Sequence, residues 1–212
     1  MKSINIKTIL LIAITVCGLF HGNTFAGLKN APSNAAKLQE SYMWYDGQQE
    51  RQVWLNPGLV AEFNPVQGSL VNSTVKSLYS DAVPVSKLHG SVRFWRLGSG
   101  AHSDVAAINL RKANQAEKYS PVLHDSPSST GRKRALPGNI IIYLNPVWDG
   151  NAVNAWVNQH QLEIVKKLDI GPNIYVIKTG PGLEALSTAN TLYKSGEVIA
   201  AFPDWWEEVT TR

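Results

Sequence analysis

The chain has 212 residues, 44% of them hydrophobic and 17% charged, with seven Trp, one Cys and a formal charge of +4. At about 100–200 residues per domain, that length holds one or two compact units and excludes a large multidomain enzyme. The composition excludes wholesale disorder, collagen-like and low-complexity classes.

Residues 1–26 read as a secretory leader. Lys2 and Lys7 flank its start, an almost unbroken apolar run covers 9–20, and Thr24-Phe25-Ala26 supplies a small-x-small cleavage site. The run is shorter than the roughly 20 residues that span a bilayer. Cys17 invites a lipid-anchor reading, but the bulky Val16 before it is wrong for that motif. Cleavage after Ala26 leaves 186 residues (212 less 26) and removes Lys2 and Lys7 with no acid, so the charge falls from +4 to +2. The argument for nucleic acid disappears with them. The remaining chain has no cysteine, hence no disulfide and no thiolate chemistry. The expectation is a secreted or periplasmic protein with no membrane span in its mature form.

Residues 27–40 (GLKNAPSNAAKLQE) are small and polar, a flexible lead-in. Residues 42–55 predict a hairpin, with Asp46-Gly47 as its tight turn and Val53, Trp54 and Leu55 returning. Strands are expected over 59–63, 83–85, 92–97 and 119–123, with helices over 69–79 and 105–116. Residues 125–138 (DSPSSTGRKRALPG) read as a linker whose Arg132-Lys133-Arg134 is either a solvated loop or a processing site.

Beyond it, Asn139-Ile140-Ile141-Ile142-Tyr143-Leu144 suits a central strand. Asp149 stands where an N-cap should, and Val153, Trp156, Val157 and His160 follow at helical spacing. Residues 162–168 predict an edge strand and 174–178 another after Gly171-Pro172. Leu183, Leu186, Ala189, Leu192 and Tyr193 form a helical face that Gly196 is placed to end. A last strand covers 198–202. The order β-α-β-β-α-β is the split βαβ, or ferredoxin-like, unit. The first half reads the same way, as a degenerate duplicate. The expected class is therefore α+β, with an N-terminal α+β module at 41–125, a linker at 126–138, a ferredoxin-like module at 139–204 and a tail at 205–212.

Catalytic signatures are missing. His89, His102, His124 and His160 have no metal-ligand spacing, and His160 closes an apolar helix stripe as core histidines do. Gly98-Ser99-Gly100 is neither a phosphate loop nor a nucleophile elbow, and the His89-Gly90 pair lacks the partners of a serine-protease triad. The expectation is a non-enzyme with no cofactor and no metal.

Residues 173–205 (NIYVIKTGPGLEALSTANTLYKSGEVIAAFPDW) resemble the end of the propeptides of subtilisin-like serine peptidases. The features are a helix closing on Ala189-Asn190-x-Leu192-Tyr193-x-Ser195-Gly196, then Val198 and a strand ending Phe202-Pro203-Asp204-Trp205. Ala201 stands where the family commonly has an acid, and Asp204 where it commonly has Asn. Pro137-Gly138 and the strand after it match the family's opening strand, and 42–63 and 119–125 look like longer bacterial members. The resemblance implies ferredoxin-like domains that template and inhibit a peptidase, sheet on the enzyme and C-terminal tail in the substrate cleft. The chain stops at Arg212, where the peptidase would follow, so a free-standing or orphaned propeptide is expected. A tail in the cleft would place Arg212 near the first specificity pocket, implying a basic-preferring target.

Elementary packing asks for a cover on one sheet face. Right-handed crossovers put both helices of such a unit on one sheet face. The central strands are apolar on both faces, and an exposed apolar sheet face marks an interface. Either the first half covers it, or another protein does. The expected protein-binding set is Ile141, Tyr143, Tyr175, Ile177, Ile199, Ala201, Pro203, Asp204, Trp205, Trp206 and Arg212, with residues 207–212 extended and mobile. The rival is a cell-envelope interaction protein that presents Trp44, Trp54 and Trp95.

Overall fold

The computed structural model describes residues 37–65, 73–89, 91–111 and 116–209, without the side chains of 86–89. The leader, most of the lead-in, the start of the first expected helix and Arg212 lie outside the described residues. Every described residue belongs to one compact unit, 35–212.

The elements are β1 (Ser41–Asp46), β2 (Gln49–Phe63), α1 (Thr74–Leu78), β3 (Val83–His89), β4 (Val92–Arg96), α2 (Val105–Leu110), β5 (Lys118–His124) and β6 (Lys133–Ala135). They continue as β7 (Asn139–Tyr143), α3 (Gly150–Gln159), β8 (Ile164–Lys167), β9 (Ile174–Lys178), α4 (Leu183–Ser195), β10 (Ala200–Pro203) and β11 (Trp206–Glu207). The molecule is mixed α+β, built on two antiparallel sheets.

The first sheet runs β11-β6-β5-β2-β4-β3, with β1 also on β2, and the second runs β10-β7-β9-β8. Each half contains a β-α-β-β-α-β series: β2, α1, β3, β4, α2, β5 in one, and β7, α3, β8, β9, α4, β10 in the other. In both, the four strands lie in the same spatial order, fourth-first-third-second, with every pairing antiparallel. The likeness of the halves thus extends from element order to topology.

Local chemistry explains the second half. The Asp149 carboxylate accepts from the Ala152 amide at 2.8 Å, satisfying one of the free donors that open α3. Gly196, at φ 74°, ends α4 in the left-handed conformation that side chains with a Cβ resist. The inward stripes of both helices, Val153, Trp156 and Val157 with Ala185, Leu186, Ala189 and Leu192, close over Ile140, Ile142, Tyr175, Ile177 and Ala201. Trp44, Val53, Leu123 and Leu136 from the first half enter the same core. The hairpin β1–β2 brings Trp44 and Val53 there: Tyr45 stacks on Tyr193 at 4.3 Å, and the Asn190 amide donates to the Met43 carbonyl at 2.7 Å.

In the first half, Val60, Trp95 and Tyr119 pack beneath α1 and α2 on Val75 and Ile108. The opposite face carries Ala61, Phe63, Val92, Phe94, Val122 and Ala135, with Trp206 laid against it. The chain therefore covers that face with its own last strand.

The segment expected as a linker contributes to the first sheet. Its loop pairs with the lead-in at Lys37 and Ser128, and its end forms β6 between β5 and β11. The basic triplet is accordingly within or beside a strand and is paired, a correction to the solvated-loop reading. Among the described residues, no helix is long and apolar enough to cross a membrane.

Candidate functional site

Register decides which side chains the second sheet presents. Ile141 opposes Val176 and Phe202, and Tyr143 opposes Ile174 and Ala200, so these six share the face turned away from the helices. Ile140 opposes Ile177 and Pro203, and Ile142 opposes Tyr175 and Ala201, which places that set under α3 and α4. Tyr175, Ile177, Ala201 and Pro203 are buried there, a correction to their expected role as binding residues. A one-residue change of register exchanges the two sets, and three consecutive isoleucines in β7 satisfy either. Ile174, Val176, Ala200 and Phe202 take the vacated places on the helix-free face.

That face is partly covered. Ile174, Val176 and Ala200 are buried, Ile141, Tyr143 and Phe202 are half-buried, and Ile199, just before β10, is 58% exposed. Tyr143 and Phe202 pair at 5.7 Å. Ile141 and Phe202 also line a cleft of about 640 Å³ with Trp44, Arg51, Arg134 and Trp205. The first half thus rises beside this face and leaves a groove between them.

The groove's far wall is the tail. Residues 207 and 208, expected to be extended and mobile, are held. β11 pairs with β6, opposing Trp206 to Ala135 and Glu207 to Arg134, and the Glu208 amide donates to the Lys133 carbonyl at 3.0 Å. Trp205 meets Trp44 edge-on at 5.4 Å, while Trp206 packs on Phe94 at 5.2 Å. The basic triplet clasps the two glutamates: Lys133 Nζ lies 2.8 Å from Glu208, Arg132 lies 3.1 Å from Glu207, and Arg134 also pairs with Glu207. The Arg134 guanidinium sits near both Trp44 and Trp205, 5.5 and 5.6 Å from their ring centres. The opposite charges of 132–134 and 207–208 are the signal in the sequence that finds this contact.

His124 fixes the loop that feeds the clasp. It is wholly buried, with Nδ1 2.7 Å from the Gly131 carbonyl and Nε2 3.2 Å from the Asn56 amide. A neutral ring satisfies both, donating from Nδ1 and accepting at Nε2. Burial, with Lys133 adding to it, pushes its pKa down. A base with a depressed folded pKa leaves the unfolded state binding more protons, so stability is present above its ordinary value near 6.5 and falls as pH drops from there. The wild-type urea midpoint is expected to fall between about pH 7.5 and about pH 5.5, and H124Q, less stable throughout, to lose less over that window. Equal losses in both proteins would exclude His124 as the cause.

A perturbed carboxylate is buried in the first half. Glu62 accepts from the Trp95 indole at 2.6 Å and lies 3.4 Å from Arg93, with Glu117 and Tyr119 beside it. Burial raises its pKa first of all, and the Glu117 charge adds to the rise. At 1% exposure it is closed to any solute, and it serves packing. Among the described residues, no group of three or more His, Cys, Asp or Glu is disposed to hold a metal. Of the tryptophans expected at an envelope-binding surface, Trp95 and Trp44 are buried and Trp54 is half-buried.

No family model matches the chain, and no curated protein or solved structure does either.

Proposed function

We propose that this chain is an exported, non-catalytic, propeptide-like protein that binds a subtilisin-like serine peptidase as inhibitor or folding chaperone. Each half is read as a ferredoxin-like module, and the second docks through the strip formed by Ile141, Tyr143 and Phe202 with Ile199 at its edge. The observation that carries the reading is the second sheet's strand order, with both helices on one face and this half-buried apolar strip on the other. The resemblance of 137–205 to such propeptides gives the strip its partner.

The tail carries less of the reading than its sequence suggests. Trp205, Trp206 and the two glutamates after them are engaged on β6, so docking rests on the sheet face. The envelope-binding alternative loses support because two of its three tryptophans are interior.

The mature protein is expected to inhibit, or to assist the refolding of, at least one of a panel of secreted subtilisin-type peptidases. Phe202→Asp, in a half-buried position, is expected to weaken that effect at least about tenfold while leaving circular dichroism unchanged. Absence of inhibition, complex and refolding assistance across the panel would remove the proposal. Full potency in a folded Phe202→Asp protein would move the docking site elsewhere.

A further inference from the structure

We infer that residues 204–208 form a releasable latch, in which β11 is clasped to β6 by charge and can leave it without unfolding either half. The inference goes beyond peptidase docking and does not need it.

The strand pairing is small, and ion pairs add to the aromatic contacts that hold it. β11 has two residues on the three of β6, and among the described residues no other strand pairs with it. Water and salt reach the outer part of the clasp: the side chains of Arg132 and Glu207 are 42% and 38% exposed, against 27% for Lys133, 17% for Glu208 and 10% for Arg134. Partly exposed ion pairs weaken as salt screens them.

Arg134 Nε and Trp205 Nε1 are buried donors with no acceptor among the described residues. Both belong to the stack of Trp44, Arg134 and Trp205 where the tail meets β6. Water supplies acceptors to both once the tail lifts, so release recovers what closure gives up. Charge and aromatic contact favour the latch, and these two donors oppose it. That opposition is the condition for an element with two accessible positions. Release would uncover the apolar face of the first sheet at Phe94, Phe63 and Ala61, and free two tryptophans and two carboxylates to meet a partner.

Hydrogen exchange of the isolated mature protein tests this without any peptidase. Raising salt from about 0.01 M to about 1 M shortens the screening length from about 30 Å to about 3 Å. The amides of 206–208 are expected to exchange about tenfold faster at the higher salt, while those of β2 and β9 hold. Glu208→Lys is expected to reproduce this at low salt, and Lys133→Glu in the same chain to restore protection. Exchange at 206–208 that is indifferent to salt and follows only global unfolding would overturn the latch. That outcome leaves sheet-face docking standing, and a failed peptidase panel leaves the latch standing.

Discussion

Truncating Trp95 to alanine is expected to lower the free energy of unfolding by about 4–5 kcal/mol, through the lost aromatic volume and a stranded carboxylate. The side chain is wholly buried beneath α1 and α2, and it does three things at once. It fills the space between Val75 and Ile108, it donates to Glu62 at 2.6 Å, and its ring lies 5.7 Å from the Arg93 guanidinium. If the indole goes, Glu62 keeps Arg93, at 3.4 Å, and the Tyr119 side-chain hydrogen bond to offset its charge. Trp95→Phe separates the contributions, because it keeps most of the volume and removes the donor. A loss of about 2 kcal/mol is expected for it, shrinking when Glu62 is also changed to Gln.

The pH dependence has a definite sign. Burial already raises the Glu62 pKa, and losing the indole donor raises it further. An acid whose folded pKa is raised contributes stability that is present below its ordinary value and lost as pH rises through the folded one. The Trp95→Phe deficit should therefore be larger at about pH 8 than at about pH 5. Urea midpoints for both variants at both pH values check this, and a pH-independent deficit would remove the carboxylate from the explanation.

Gly138→Ala is expected to cost about 3 kcal/mol. Gly138 sits at φ 95°, where a side chain strains the backbone, and an added Cβ would lie 2.7 Å from Pro181 N and 2.9 Å from its Cα. These are backbone atoms just ahead of α4, so the helix must move with them. The Gly182 amide also donates to the Leu136 carbonyl at 2.9 Å, tying the same loop to the residues leading into Gly138. Gly47→Ala is the control: at φ 60° with nothing within 4 Å, it keeps the strain and lacks the collision, and about 1 kcal/mol is expected. Equal thermal shifts for the two variants would mean that the collision is relieved without cost.

The second half is legible in its sequence because its helices are long enough to show a period and their ends carry recognisable chemistry in Asp149 and Gly196. The first half is harder to read. α1 and α2 have five and six residues, fewer than two full turns, so periodicity has little room to show. Asn56-Pro57-Gly58 looks like a break, yet β2 continues through it, the register with β5 shifting between Asn56 and Val60. β6 is hidden for a different reason: three residues beside a Ser-Pro-Gly loop have no pattern of their own, and pairing with β5 and β11 makes them a strand. The face of the second sheet is the least legible part. Ile140, Ile141 and Ile142 fit either orientation, and only the pairing of Ile141 with Val176 settles it.

The shared strand β6 has a consequence for biogenesis. A ribosome delivers the first half long before residue 207, so that half must wait, its outer aromatic surface uncovered, until the polypeptide is nearly complete. For the same reason, cutting at the apparent linker would divide the strands of one sheet between two fragments.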